Sequence, residues 1–320
     1  MEGDIISDES PAIVNNNSTA LATPELVNEW YDQNINEKHS FSSTNTYWSF
    51  IKRYVGYGIL INKKTVNKYM GNNMSNVASG SLKSFFRFLV NKKDFPEEIL
   101  NIKFDRIKTT RKAPEYFDNI EVGKIINAIE PIKLKLLTMV LAECGLRISE
   151  GVKLKWENFN WSKWITEKNN MGSMTLKHTK GNKFRTIPVS SSLMNELYNY
   201  HQNKTTDGIP IGNLVFDFGI IRYIDVKLNK EDNANNMYNY IVYATDHYRQ
   251  FLHKITKHLI GRRAHPHMFR HYAAQSLMDK GLPLIHLKEF LGHSNIGTTE
   301  IYAHSSAEVL KKEMEKLNGK

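Results

Sequence analysis

Imidazoles, a guanidinium and a phenol fall within 36 residues near the end of this chain, from His267 to Tyr302. They sit in three short segments: His267-Met268-Phe269-Arg270-His271, Leu291-Gly292-His293 and Tyr302-Ala303-His304. Upstream, Gly145-Leu146-Arg147-Ile148-Ser149-Glu150 supplies a second guanidinium, and Thr179-Lys180-Gly181-Asn182-Lys183 supplies an ammonium. Breaking a phosphodiester with a side chain needs an oxygen nucleophile, positive donors for the non-bridging oxygens, and an acid for the departing sugar oxygen. Tyr302 can be the nucleophile, and a phenolate leaves more easily than an alkoxide, so a phosphotyrosine bond keeps the energy for rejoining. Arg147 and Arg270 each offer a planar fork that stays charged at any working pH. His267 lies one helical turn before Arg270, which puts both side chains on one face. His293 follows a Leu-Gly pair that allows close approach. Preorganised donors of this kind act on the charge that develops in the transition state. Lys180 suits protonation of the leaving 5′ oxygen, provided that nearby arginines lower its pKa. These are the parts needed to cut and rejoin a phosphodiester with no cofactor, neither metal nor ATP.

Each part also has a plain structural reading. Tyr302 is one of 15 tyrosines. Arg147 can pair with Glu150, three residues on, and Glu150 reads as a structural carboxylate that holds an arginine or a backbone turn. His265, His267 and His271 invite a metal, but no acid lies close in sequence to complete a typical site. Cys144, the only cysteine, follows an apolar helix and reads as core, and a single thiol makes neither an internal disulfide nor a zinc cluster. Co-occurrence carries the catalytic reading.

These groups need a scaffold, and 320 residues with 41% hydrophobic content suffice for two modest cores. No run nears the roughly 18–20 apolar residues of a bilayer helix, and no signal peptide is visible, so no membrane partner and a cytoplasmic, nucleoid-associated place are expected. Residues 1–37 hold eight acids and no Lys or Arg. The rest therefore carries all 43 basic residues against 25 of the 33 acids, a balance of +18. Such a surplus is the footprint of a nucleic-acid partner, because neutralised phosphates release condensed counterions.

Residues 1–23 read as an acidic, disordered tail. Helical spacing then predicts an all-α domain over 24–100, with Thr23 and Pro24 opening a first helix whose stripe is Leu26, Trp30 and Tyr31. Ser42 to Thr46 offer caps for a second helix (Tyr47, Phe50, Ile51, Tyr54, Val55). A third runs from about Lys64 and a fourth from about Ser81, with Leu82, Phe85, Phe86 and Leu89. Residues 101–116 form a basic linker, in which Lys108, Arg111 and Lys112 are candidate contacts to a DNA backbone. The second domain spans 117–320. Ile120, Val122, Ile125, Ile126 and Ile129 mark one helix; Leu134, Leu137, Val140 and Leu141 mark the next. Met174, Leu176 and His178 alternate with polar residues, as do Phe184, Thr186 and Pro188, which predicts a β-hairpin with Lys180 at or beside its tip and Lys183 as a further DNA contact. Residues 203–213 and 228–241 read as loops. Helical patterning resumes near Asp246 and ends in an amphipathic tail with Leu310, Met314 and Leu317.

These segments resemble the tyrosine recombinases, the family of phage integrases and Xer-type enzymes. Cys144 to Glu150 resembles its first arginine box, Lys180 its hairpin lysine, His267 to Arg270 its His-x-x-Arg box, Leu291 to His293 its leucine-glycine-histidine box, and Tyr302 its nucleophile. The resemblance implies a mainly α fold, in which a helical core-binding domain and a mainly helical catalytic domain with a small β-hairpin close as a C-shaped clamp on DNA. It implies a site-specific recombinase acting through a 3′-phosphotyrosyl intermediate. Arg147, Arg270 and His293 would bind the scissile phosphate, Lys180 would protonate the leaving oxygen, and His267 would assist proton transfer from Tyr302. Double-stranded DNA with paired sites, and a homotetramer in the synaptic complex, are the implied partners. Two other activities share these residues or this fold: type IB topoisomerase-like relaxation and non-catalytic DNA-binding regulation.

Overall fold

The computed structural model describes residues 20–36, 41–57, 60–72, 75–93, 95–103, 115–167, 171–177, 184–204, 214–218 and 233–292. The chain divides into two compact units, Met1–Arg111 and Lys112–Lys320.

The first unit is built from four helices, α1 (Pro24–Asn36), α2 (Phe41–Tyr57), α3 (Lys63–Asn72) and α4 (Asn76–Lys93), with a two-residue antiparallel pairing of β1 (Ala20–Leu21) and β2 (Leu60–Ile61). Short polar side chains start three of the helices by accepting from otherwise orphaned backbone N–H groups. The Thr23 hydroxyl takes Leu26 N–H at 3.4 Å, Asn62 takes Thr65 N–H at 2.9 Å, and Ser75 takes Ala78 N–H at 3.0 Å. Val27 and Trp30 of α1 pack on Ile51, Tyr54 and Val55 of α2 and on Leu82, Phe85, Phe86 and Leu89 of α4. The aromatics serve this core: the Tyr54 ring meets Tyr69 edge-on at 5.3 Å between centroids. Leu26 and Tyr31 pack half-buried on this core beside Trp30, as expected, and Val27 joins them fully buried. One expectation shifts. Ser42 to Thr46 lie inside α2, which begins at Phe41.

The second unit centres on α6 (Ile132–Cys144), which buries Leu134, Leu136, Leu137, Val140 and Leu141. A helix apolar on nearly every side must be enclosed. Before it, α5 (Asn119–Ala128) starts in a reciprocal cap, with Asp118 accepting from Glu121 N–H at 2.7 Å and Glu121 from Asp118 N–H at 3.1 Å. Ile120 points outward, 69% exposed, because it falls on the solvent side of α5, opposite Val122 and Ile125. After α6 come the single turn α7 (Ile148–Gly151), α8 (Trp161–Glu167), the hairpin β3 (Met171–Lys177) and β4 (Phe184–Ser190), then α9 (Ser191–Lys204), α10 (Asn233–Ile260), α11 (His267–Asp279) and α12 (Leu284–Leu291).

The hairpin register pairs Met174 with Ile187 and Leu176 with Arg185. Its second strand turns opposite faces from those the alternation of Phe184, Thr186 and Pro188 suggests. Those three are exposed, and Arg185, Ile187 and Val189 point inward. A period of two makes a one-residue error in phase invert every side chain. The loop expected at 228–241 is corrected over 233–241, where α10 already runs from Asn233; residues 228–232 lie outside the described residues. Its buried stripe, Tyr240, Ala244, Tyr248 and Leu252, repeats every four residues. The Tyr240 hydroxyl donates to the Phe216 carbonyl and the Tyr248 hydroxyl meets Thr138 of α6 at 2.8 Å, so tertiary packing holds an asparagine-rich start helical.

Candidate active site

Three arginines, from the turn after α6, from β4 and from α11, meet one carboxylate in the second unit. Helix α6 stops at Gly145, whose φ of 59° is left-handed. A Cβ there would lie 3.0 Å from a Leu291 methyl and 3.3 Å from both Ala273 and Phe290. Glycine is therefore required twice, for the backbone turn and for the close approach of α6 to α11 and α12. Gly145→Ala should lower stability by about 2–4 kcal/mol, from left-handed strain plus overpacking. Denaturant unfolding checks this; an unchanged midpoint would remove the packing assignment.

Past Gly145, buried Leu146 anchors the turn and Arg147 leads into α7. Glu150 then folds back on that turn, accepting the Arg147 backbone N–H at 2.8 Å and its guanidinium at 3.1 Å. The plain ion pair expected from the sequence is thus present, and Glu150 holds both an arginine and a backbone turn. It also accepts from Arg185 of β4 at 2.9 Å and lies 4.0 Å from Arg270 of α11. Arg270 is 3% exposed and spans two helix ends, donating to the Gly145 carbonyl at 2.7 Å and the Leu291 carbonyl at 2.6 Å. Carbonyls at helix C-termini lack intrahelical partners and carry the negative end of the helix dipole, so a cation is well placed there.

Three guanidiniums thus surround one carboxylate, a local surplus of positive charge. Burial pushes the Glu150 pKa up, but the Arg185 charge, the Arg147 N–H and the Arg147 and Arg270 charges outweigh it and leave the carboxyl below its ordinary range. Arg147 is the outermost of the three, its side chain about a third exposed at 35%.

His267 opens α11 one turn before Arg270, and its ring centroid is 6.5 Å from that of His271. Desolvation by the surrounding chain and the charges of Arg270, His265 and Arg147 hold His267 below the ordinary imidazole range, although the residue is exposed. A neutral ring can accept a proton. The same causes, with burial largest and His267 next, bring His271 down to about 4. Both shifts favour the neutral imidazole in the fold. Stability is therefore complete above the ordinary value of 6.5 and falls as the pH drops towards about 4, where the folded protein must accept the His271 proton. Melting temperatures measured from pH 7 to pH 4 should decline over that window. His271→Asn should flatten the decline, and an unaltered slope would show that this imidazole does not titrate as placed.

Of the residues expected from the sequence, the structure brings Arg147, Arg270 and His267 into one cluster. Lys180, Lys183, His293, Tyr302, Lys108, Arg111 and Lys112 lie outside the described residues, as does the tail with Leu310, Met314 and Leu317. The strands of the hairpin end at Lys177 and Phe184, and α12 ends at Leu291-Gly292, one residue before His293. Among the described residues no group of three His, Cys, Asp or Glu has metal-binding geometry. Cys144 is fully buried, and that burial pushes its thiol pKa well above the usual value, as a core residue requires. Arg185 was not anticipated. Its signal was an arginine in phase with Ile187 and Val189 on a strand.

Residues 115–308 match the profile of the phage integrase family. Tyrosine recombinase XerA of Pyrococcus furiosus is 28% identical over 248 residues, covering 76% of this chain and 73% of its own. Among solved structures, the Tn1549 transposon integrase in complex with a circular intermediate DNA superposes with a TM-score of 0.62 at 16% identity, over 93% of this chain and 100% of that one. A lambda integrase tetramer bound to a Holliday junction gives 0.57 at 13% identity, over 89% and 78%. The likeness to both is one of fold, mainly helical with a small hairpin.

Proposed function

This chain belongs to the phage integrase family, and on that premise we propose that it is a site-specific tyrosine recombinase which cuts and rejoins DNA. The observation that carries the reading is the cluster of Arg147, Arg185 and Arg270 around Glu150, at the ends of α6 and α12. It offers a phosphodiester more positive charge than the protein itself consumes.

In the reaction, the Tyr302 oxygen attacks the scissile phosphorus while the bond to the 5′ oxygen breaks, leaving a 3′-phosphotyrosyl link. His267, held neutral, takes the phenolic proton, and Lys180 gives one to the departing 5′ oxygen. Arg147, Arg270 and His293 hold the non-bridging oxygens, where preorganised donors contribute most to rate. An incoming 5′ hydroxyl reverses each step and rejoins the strand. Arginines supply the charge stabilisation, so the cycle is expected to run without metal or ATP.

The N-terminal unit, with Lys52, Arg53, Lys63, Lys64 and Arg87 exposed, suits the role of a second DNA grip. The linker residues Lys108, Arg111 and Lys112, and Lys183 of the hairpin, would follow the backbone. The related fold of lambda integrase forms a tetramer on a Holliday junction, and the same assembly on paired sites is our reading here. No described helix is long and apolar enough to cross a membrane; a DNA substrate would place the work in the cytoplasm, at the nucleoid.

A plasmid carrying two copies of a duplex selected by this protein from a random pool tests the activity. Exchange of the segments flanking the two copies is expected. Relaxation of supercoiled plasmid regardless of sequence, without exchange, would favour a topoisomerase-like enzyme.

A further inference from the structure

The alternation of β4 puts Arg185 in line with Ile187 and Val189, and all three are buried. A guanidinium in that row is unexpected, because replacing a buried ion pair by apolar side chains is often neutral or stabilising. Arg185 is 8% exposed, and its Nε meets no acceptor among the described residues. An unmet buried donor lowers stability. Stability alone thus gives no reason for an arginine at this point.

Its two outer nitrogens indicate another purpose. One donates to the Leu291 carbonyl at 2.7 Å, across 106 residues, and the other to Glu150 at 2.9 Å, across 35. The Leu291 carbonyl is the same oxygen that Arg270 holds, and it directly precedes Gly292, whose φ of 68° turns the chain towards His293. Glu150 is the same carboxylate that holds Arg147. Arg185 itself sits one residue after the start of the strand that follows the connection bearing Lys180. A single side chain therefore ties the arginine turn, the segment entering His293 and the hairpin.

We propose that Arg185 is a positioning residue of the strand-transfer site, which neutralises Glu150 and holds the Leu291 carbonyl so that Arg147, Arg270 and His293 face the phosphate together. The inference rests on the recombinase reading above. Arg185 is bound to Glu150 and to the Leu291 carbonyl, and it acts on the site through those two groups. Its removal would leave Arg147 and Arg270 alone to compensate Glu150, and the carboxylate then competes with the phosphate for those two guanidiniums.

That competition separates positioning from packing. A nicked suicide duplex, selected from a random pool by binding to the protein, would be cleaved in single-turnover mode by the wild-type chain and by the Arg185→Met, Glu150→Gln and Arg185→Met/Glu150→Gln variants. Arg185→Met should cleave about 100-fold more slowly, in the range found on losing one preorganised donor, with duplex affinity nearly unchanged. The double variant should recover about tenfold of that loss, because the offending charge is gone and neighbouring sites couple. Arg185→Lys keeps the charge but reaches one acceptor, so it should slow cleavage about tenfold at an unchanged melting temperature. This variant decides the matter if the methionine variant does not fold. Wild-type rates in Arg185→Met or Arg185→Lys, or a double variant no faster than Arg185→Met, would overturn the proposal alone. No adduct from the wild-type chain would overturn the recombinase reading and this inference with it.

Discussion

Arg270→Lys should reduce DNA cleavage by about 100- to 1,000-fold while leaving the protein folded. The lysine keeps a positive charge, but it is a point charge on a flexible stem and cannot repeat a planar fork. In the wild-type chain that fork meets the Gly145 and Leu291 carbonyls at 2.7 and 2.6 Å, so it fixes the ends of α6 and α12 relative to α11. One ammonium cannot hold both acceptors, so the tie between the two helix ends is lost although Arg185 still donates to the Leu291 carbonyl. The expected size of the kinetic effect is that of losing one preorganised transition-state donor. Duplex binding should change far less, because most affinity for DNA comes from many backbone contacts spread over the protein. Arg270→Met goes further and takes the guanidinium from the Gly145 carbonyl, while Arg185 stays on the Leu291 carbonyl. Each unmet buried acceptor costs about 1–3 kcal/mol, so this variant should also unfold at lower denaturant. Single-turnover cleavage and denaturant unfolding, measured side by side, separate the two effects. An Arg270→Lys enzyme with wild-type cleavage would show that the fork does not act on the phosphate.

The arginine turn was legible because its parts are local. Gly145, Arg147 and Glu150 occupy six residues, and the hydrogen bonds that shape them run within that span. The His267 and Arg270 relation was legible for the same reason, being one helical turn. Arg185 was not, since its partners lie 35 and 106 residues away and nothing in the spacing announces them. A charged residue on the inward face also hid the phase of β4: with Arg185 taken as outward, Phe184 looks like core, yet it is 67% exposed. The start of α10 was lost to composition. Asn233, Asn235, Asn236 and Asn239 favour loops by competing for backbone hydrogen bonds. Tyr240 and Tyr248 override that preference, because their rings fill the core and their hydroxyls find buried partners on other elements. Long-range packing decided these points, and single-sequence periodicity does not record it.

The same division explains the charge distribution at the site. Sequence spacing pairs Arg147 with Glu150 and would leave a neutral couple. The fold adds Arg185 and Arg270 from β4 and α11, and only then does the carboxylate become outnumbered. The surplus of positive charge is therefore a property of the assembled second unit.

The central claim is that Tyr302 forms a covalent bond with DNA in this site. Tyr302→Phe removes the proposed attacking oxygen and changes little else, so covalent capture should vanish while duplex binding persists. A labelled suicide duplex, nicked beside the cleavage point so that the released strand cannot return, is incubated with the protein in EDTA without ATP and run on a denaturing gel. An adduct that survives denaturation with the wild-type chain, and is absent with Tyr302→Phe, is the predicted result. An adduct of equal yield from Tyr302→Phe would contradict the account, because another side chain would then be the nucleophile.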